Sequence, residues 1–195
     1  LFNDYLNKYG SIRSIKASNI NTNNLNSLLA NYKLLIVSFH MKSDTPWGNM
    51  NKKFSLKEQD ILKTIDEHNN KILASFTNPY ALSQINLESY NSVVVGFQNN
   101  QEFQKIIAQQ IFGAKEIKGT LPVSINDTFK EGDGIILKNL NILSYADPEM
   151  VGVDSKKLNK IDSLIDFVIE NKMTPGAQIL VAKNSKIIYD KSFGK

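Results

Sequence analysis

The chain has 195 residues, 42% of them hydrophobic and 22% charged, with a formal net charge of +4 and no cysteine. That length is large for one domain and small for two, and the composition is that of a globular protein with a substantial core. Mild, interspersed charge argues against a nucleic-acid partner. The missing cysteines exclude disulfides, thiolate catalysis and thiolate-bound metal, and no apolar run is long enough to span a bilayer.

In chain order, Leu1 to Tyr9 predicts the end of a helix closed by Gly10. Ile12 and Ile15 fit a short strand only poorly in period. Asn19 to Asn26 predicts a polar loop leading into a brief helix around Leu25, Leu28 and Leu29. Leu34-Leu35-Ile36-Val37 is a continuous apolar run, the pattern of a strand covered on both faces, and it ends in Ser38-Phe39-His40. Met41 to Phe54 is a long loop carrying Pro46, Trp47 and Gly48. Ser55-Leu56-Lys57-Glu58 spells a capping box, opening a helix with Ile61, Leu62 and Ile65 on one face. Ile72 to Phe76 predicts the next strand, broken by Asn78-Pro79, and Leu82 to Tyr90 a weak connector.

Val93-Val94-Val95 is the third buried run, ended by Gly96. Phe103, Ile106, Ile107 and Ile111 form one apolar helical stripe, and Gly113 stands where a left-handed C′ residue is cheapest. Pro122 restricts Leu121-Pro122-Val123 to an extended segment or an edge strand. Glu131-Gly132-Asp133-Gly134 is turn-forming, and a linker is placed over 131–147. The pattern then restarts: Asp154 as N-cap, a stripe of Leu158, Ile161, Ile165, Val168 and Ile169, then Thr174-Pro175-Gly176. Two strands, Ala177 to Ala182 and Ile187 to Lys191, flank Lys183-Asn184-Ser185-Lys186 as a hairpin. The alternation predicts an α/β fold: a three-layer α/β/α sandwich with a mainly parallel sheet over 1–130, followed by a helix plus β-hairpin over 148–195.

Gly113, Gly119, Leu121, Pro122 and Val123, spaced F-G-x(5)-G-x-L-P-V behind an A-Q-Q-I helix, resemble the end of the C-terminal domain of family-three glycoside hydrolases. Phe76-Thr77-Asn78-Pro79-Tyr80-Ala81-Leu82 and Val95-Gly96-Phe97-Gln98-Asn99 are similar to that domain in its bacterial β-N-acetylglucosaminidase branch. Further on, Pro148-Glu149-x-Val151-Gly152-x-Asp154-Ser155, Thr174-Pro175-Gly176-Ala177, Val181-Ala182-x-Asn184 and Ser192-Phe193-Gly194 resemble the opening of a serine β-lactamase-like domain. The resemblance implies a parent glycosidase acting on peptidoglycan or other amino-sugar glycans. Its aspartate nucleophile and histidine acid/base would lie in a preceding TIM-type barrel, so no catalytic residue falls on this numbering. The first residue is not Met and the last ones stop in mid-pattern, which reads as an excised piece. Its expected partners are therefore the missing barrel, the missing remainder of the β-lactamase-like domain and the glycan. A periplasmic or cell-envelope location is implied for the parent, with any signal cut away, and no cofactor is expected.

Ligands of open α/β sheets bind beyond the carboxyl ends of the strands, where His40, Asp44 and Trp47 follow the Leu34 run. Trp47 can stack on a sugar ring and Asp44 can accept from its hydroxyls; the plainer alternative is a solvated strand end and a tryptophan packed on a neighbouring domain. A carbohydrate-binding module using this edge is thus the rival to a scaffold domain. A flavodoxin- or receiver-like domain ranks below both, because a phosphate-cradling glycine loop and an acidic cluster are lacking. His68, near a helix end, reads as complementing the dipole, and neither histidine has ligand-spaced partners for zinc. Asp60, Asp66, Glu67 and Glu102 read as solvating helix faces, and no carboxylate pair stands out as glycosidase machinery. Ser192-Phe193-Gly194-Lys195 spells S-x-x-K, but that chemistry needs the serine at the start of a helix, and Ser192 closes a predicted strand.

Overall fold

The computed structural model describes residues 1–40 and 54–194. The described residues are mixed α/β with two small sheets, and the chain divides into two compact units. The first comprises Leu1–Phe112 and Glu116–Lys138, the second Gly113–Lys115 and Asn139–Lys195. The helices are α1 (Phe2–Leu6), α2 (Leu25–Leu29), α3 (Leu56–Asp66), α4 (Gln101–Ile111) and α5 (Ser155–Glu170). The strands are β1 (Leu35–Phe39), β2 (Lys71–Ser75), β3 (Ser92–Val95), β4 (Ser144–Tyr145), β5 (Gly176–Lys183) and β6 (Lys186–Gly194).

In the first unit β1, β2 and β3 lie side by side in that order, all parallel, with Val37 beside Leu73 and Leu73 beside Val93. Strand period 2 sends alternate residues to opposite faces. Leu73, Val37, Val93 and Val95 join a core with Leu62 of α3 and with Leu82, Ile85, Leu87 and Tyr90. Ala74, Phe76, Ile36 and Val94 join another with Phe2 and Leu6 of α1 and Phe103, Ile107 and Ala108 of α4. The three apolar runs do not share one environment, however. Only β2, with a neighbour on each side, is buried almost throughout, whereas the residues of β1 and β3 are half-buried or exposed.

The helix starts follow from local chemistry. Ser55 accepts from the Glu58 amide, and Glu58 Oε2 accepts from the Ser55 amide at 2.8 Å, a closed capping box. Asn100 caps α4 by accepting from the Phe103 amide at 2.9 Å. Gly113 follows α4 at φ +71°, where a left-handed residue ends the helix.

Two stretches differ from the sequence reading. The connector 82–90 is core-forming: 3₁₀ turns at Pro79–Gln84 and Leu87–Ser89 bury Leu82 and Leu87 to 1% exposure. Short 3₁₀ turns carry no 3.6-residue stripe, so periodicity overlooks them. Residues 117–137 form a folded-back excursion, with an antiparallel bridge between Ile117 and Leu137 and bonds from Leu121 N–H to Asp133 O and from Ile125 N–H to Phe129 O. Asn126 Oδ1 turns the tip by accepting from the amides of Thr128 and Phe129. Leu121 and Ile125 reach the core, while Pro122 pairs in no strand. The folded-back residues 131–138 thus belong to the first unit, and Ser144–Tyr145, also within the predicted linker, form a strand of the second.

In the second unit β6 lies between β4, parallel to it, and β5, antiparallel. Asn184 and Ser185 both have positive φ, 53° and 59°, the signature of a type I′ hairpin turn. Asp154 caps α5 by accepting from the Lys156 amide at 2.9 Å. No residue of α5 is buried, and Leu164 and Phe167 are 61% and 55% exposed. Asp162 ties this helix to β6, accepting from Tyr189 Oη at 2.5 Å and from Lys191 Nζ at 2.8 Å. The Lys191 bond, then the Tyr189 bond, hold its carboxyl below the usual carboxylate range. A depressed folded pKa gives stability that is present above the unfolded carboxylate value and lost as pH falls through the folded one. The protection of the β6 amides, their exchange taken relative to the intrinsic rate at each pH, is therefore expected to fall on acidification through that range. Asp162→Asn should show low protection at neutral pH already and lose its dependence on pH; an unchanged protection profile would show the triad to be inert.

Candidate functional site

Three parallel strands bring their carboxyl ends to one rim of the first unit. β1 leads into His40, β2 into Phe76 and Thr77, and β3 into Gly96 and Phe97. The His40 ring stacks on Phe76, with centroids 4.6 Å apart and planes at 19°, and Phe2 lies 5.7 Å away. Its Nε2 is 3.1 Å from Ser38 Oγ and its Nδ1 is 3.4 Å from Asn99 Oδ1. Strand alternation explains the first contact, because Ser38 and His40 lie two residues apart on the same side of the chain.

Hydrogen-bond logic fixes the proton. The Phe2 backbone N–H can only donate, and it reaches Gln104 Oε1 at 3.1 Å. Gln104 therefore presents its amide nitrogen to Asn99 Oδ1, at 2.7 Å. Asn99 Oδ1 is then an acceptor, so His40 Nδ1 carries the hydrogen and donates to it. Nε2 keeps its lone pair and accepts from the Ser38 hydroxyl. Loss of water around a ring packed on Phe76 lowers the His40 pKa from its ordinary 6.5, against a smaller raising effect of the Asn99 bond. At neutral pH the imidazole is an uncharged base.

Backbone strain lies beside this cluster. Phe97 has φ 58°, and the Gln98 amide bonds back to Gly96 O at 2.6 Å, a γ-turn of the rare positive-φ kind. A Cβ at Gly96, where the turn starts, would come within 2.4 Å of Ile107 Cδ1, so a larger residue there would have to displace that side-chain end. The turn aims Asn99 at the histidine. At the same end of β2 the hydroxyls of Ser75 and Thr77 are buried without a hydrogen-bond partner among the described residues. A broad open groove of about 1440 Å³ runs along the outer edge of β1, lined by Ile12, Leu28, Leu35, Val37 and His40 among others.

Of the three residues assigned to the loop after β1, His40 stands at the rim, while Asp44 and Trp47 lie outside the described residues. His68 has its ring nitrogens 3.1 and 2.9 Å from the carbonyl oxygens of Asn70 and Tyr32, so it joins backbone segments. Asp60, Glu67 and Glu102 are exposed, and Asp66 accepts from Ser89 Oγ at 2.8 Å. Ser192 pairs with Gln178 in the β5–β6 ladder and so stands in a strand, away from any helix start. The partners Ser38, Asn99 and Gln104 were not singled out from sequence. The two asparagines after Gly96 were the available signal, but nothing links them to a histidine 59 residues away. No protein-family model, no curated protein and no solved structure matches this chain.

Proposed function

We propose that this chain is the non-barrel C-terminal α/β domain of a bacterial β-N-acetylglucosaminidase of glycoside hydrolase family three, joined to the start of a serine β-lactamase-like domain. The parent is a glycoside hydrolase of the β-N-acetylhexosaminidase type, working on peptidoglycan or amino-sugar glycans in the periplasm or cell envelope. Its catalytic aspartate and histidine belong to a barrel outside these residues, and the domain in hand supports that barrel. Two motif sets carry the reading, one on each side of the boundary. The helices on opposite faces of the parallel sheet support a three-layer α/β/α architecture for the first unit. The observation that weighs most is α5, a 16-residue amphipathic helix with none of its residues buried. A helix of this kind is normally stabilised by packing its apolar face; here the stripe Leu158, Ile161, Ile165, Val168 and Ile169 is only half-buried and Leu164 and Phe167 are exposed, which supports a domain larger than the second unit.

The chain by itself is expected to leave a chromogenic N-acetylglucosaminide unhydrolysed, and the parent gene is expected to encode a TIM-type barrel upstream and an S-x-x-K helix downstream. Turnover by the purified chain, or a gene with neither element, overturns the reading. The polar rim at His40 and Asn99 favours one alternative, a module that holds glycan there. Saturable quenching of the single tryptophan, Trp47, by N-acetylglucosamine oligomers would select it.

A further inference from the structure

We propose that Ser38, His40 and Asn99 form a nucleophile, general base and positioning residue for acyl transfer at the carboxyl rim of the parallel sheet. The contacts run in the order such chemistry needs. Ser38 Oγ donates to the free Nε2 of His40 at 3.1 Å, and His40 Nδ1–H is oriented by Asn99 Oδ1. Gln104, anchored by the Phe2 amide, fixes which atom Asn99 turns to the ring. Ser38 is the exposed residue of β1, open to a substrate. The imidazole is neutral at physiological pH, as a base must be. The strained turn at Phe97 that delivers Asn99 is an independent sign, since positive-φ strain at a bulky residue gathers at working sites.

The substrate class is an ester. Ser38 Oγ bonds to the carbonyl carbon while its proton passes to His40 Nε2. The ester C–O bond breaks, and the alcohol leaves with that proton. Water then attacks the acyl-serine, losing its proton to His40, and releases the carboxylic acid and free Ser38. This is acyl chemistry, separate from glycoside hydrolysis, and it stands or falls independently of the family reading above.

An alkyl fluorophosphonate tests it on the full chain: Ser38 Oγ bonds to phosphorus, fluoride leaves, and the serine proton goes to His40. One adduct, mapped by mass spectrometry to Ser38, is expected to form about 100-fold faster than on heat-unfolded protein. Ser38→Ala should take no label, and His40→Gln, which retains a polar side chain, should fall to the unfolded rate. Asn99→Ala frees the ring to take the other tautomer, slowing labelling and altering its pH profile, and Asn99→Asp should restore the rate with the profile displaced to higher pH, because a carboxylate there favours the imidazolium. Circular dichroism identifies any variant that fails to fold, and the wild-type comparison decides the matter without the variants. Absence of a Ser38 adduct on the folded chain, or equal labelling of folded and unfolded protein, overturns the proposal.

Discussion

Replacing Phe76 with alanine is expected to cost the first unit about 4 kcal/mol, the largest effect of any single change considered for this chain. Phe76 is 0% exposed and packs edge-on against Phe2 with centroids 4.9 Å apart, inside the cluster that joins β2 and β3 to α1 and α4. Truncation removes the ring's apolar burial and leaves a cavity that a close-packed core fills only in part. Phe76→Leu retains most of the volume and isolates a second consequence. His40 loses the stacked ring that keeps water from it, so its pKa should rise toward 6.5. With a depressed folded pKa, the unfolded chain takes up its proton as pH falls through 6.5 before the folded one does, and stability falls until pH has passed the folded value. Phe76→Leu should shrink this acid sensitivity. The imidazole resonances of a chain with two histidines can be followed through a titration, and an unmoved His40 would show that Phe76 does not control its solvation.

Lys71→Met is expected to destabilise the same unit by about 2 kcal/mol, read as a lower urea midpoint at unchanged slope. Lys71 is 2% exposed, an unusual place for an ammonium group. Its Nζ donates to the carbonyls of Asp66 and His68 at 2.9 and 2.7 Å, where α3 ends, and sits 5.6 Å from the centre of the Tyr90 ring. The carbonyl end of a helix attracts a cation, and these two oxygens lack intrahelical partners. Methionine fills the space but leaves both without a donor. Tyr90, whose hydroxyl is itself buried and unpartnered among the described residues and whose pKa burial raises, offers no substitute. An unchanged midpoint would mean that water serves the carbonyls as well as the lysine does.

What could be read in advance divides along physical lines. Features set by near neighbours in sequence were legible: the Ser55–Glu58 box, the left-handed Gly113, the Asp154 cap and the Asn184-Ser185 hairpin each need only a few adjacent residues. Strand existence was legible at Val93–Val95, a β-branched run with few other uses, and at Ile72–Phe76, a short apolar stretch broken by Asn78-Pro79. Burial was not, because both runs are short apolar stretches, yet β2, with a neighbour on each side, is buried almost throughout and β3 is half-buried. The contribution of Leu82 and Leu87 to the core was hidden by 3₁₀ geometry. At the rim only His40 was legible, through its place after a strand. Ser38 and Asn99 become meaningful once parallel pairing brings the ends of β1 and β3 within reach of one imidazole.

The chain passes from β1 to β2 by way of α3, on one face of the sheet, and leaves β3 through α4 on the other. Right-handed crossovers make that change of side a change of direction: any further parallel strand reached from α4 is carried back past β2 and laid against the outer edge of β1. An extended segment docked there, whether from this polypeptide or another, would create a reversal of strand order beside His40. The rim would then become the mouth of a crevice of the kind in which open α/β sheets hold their ligands.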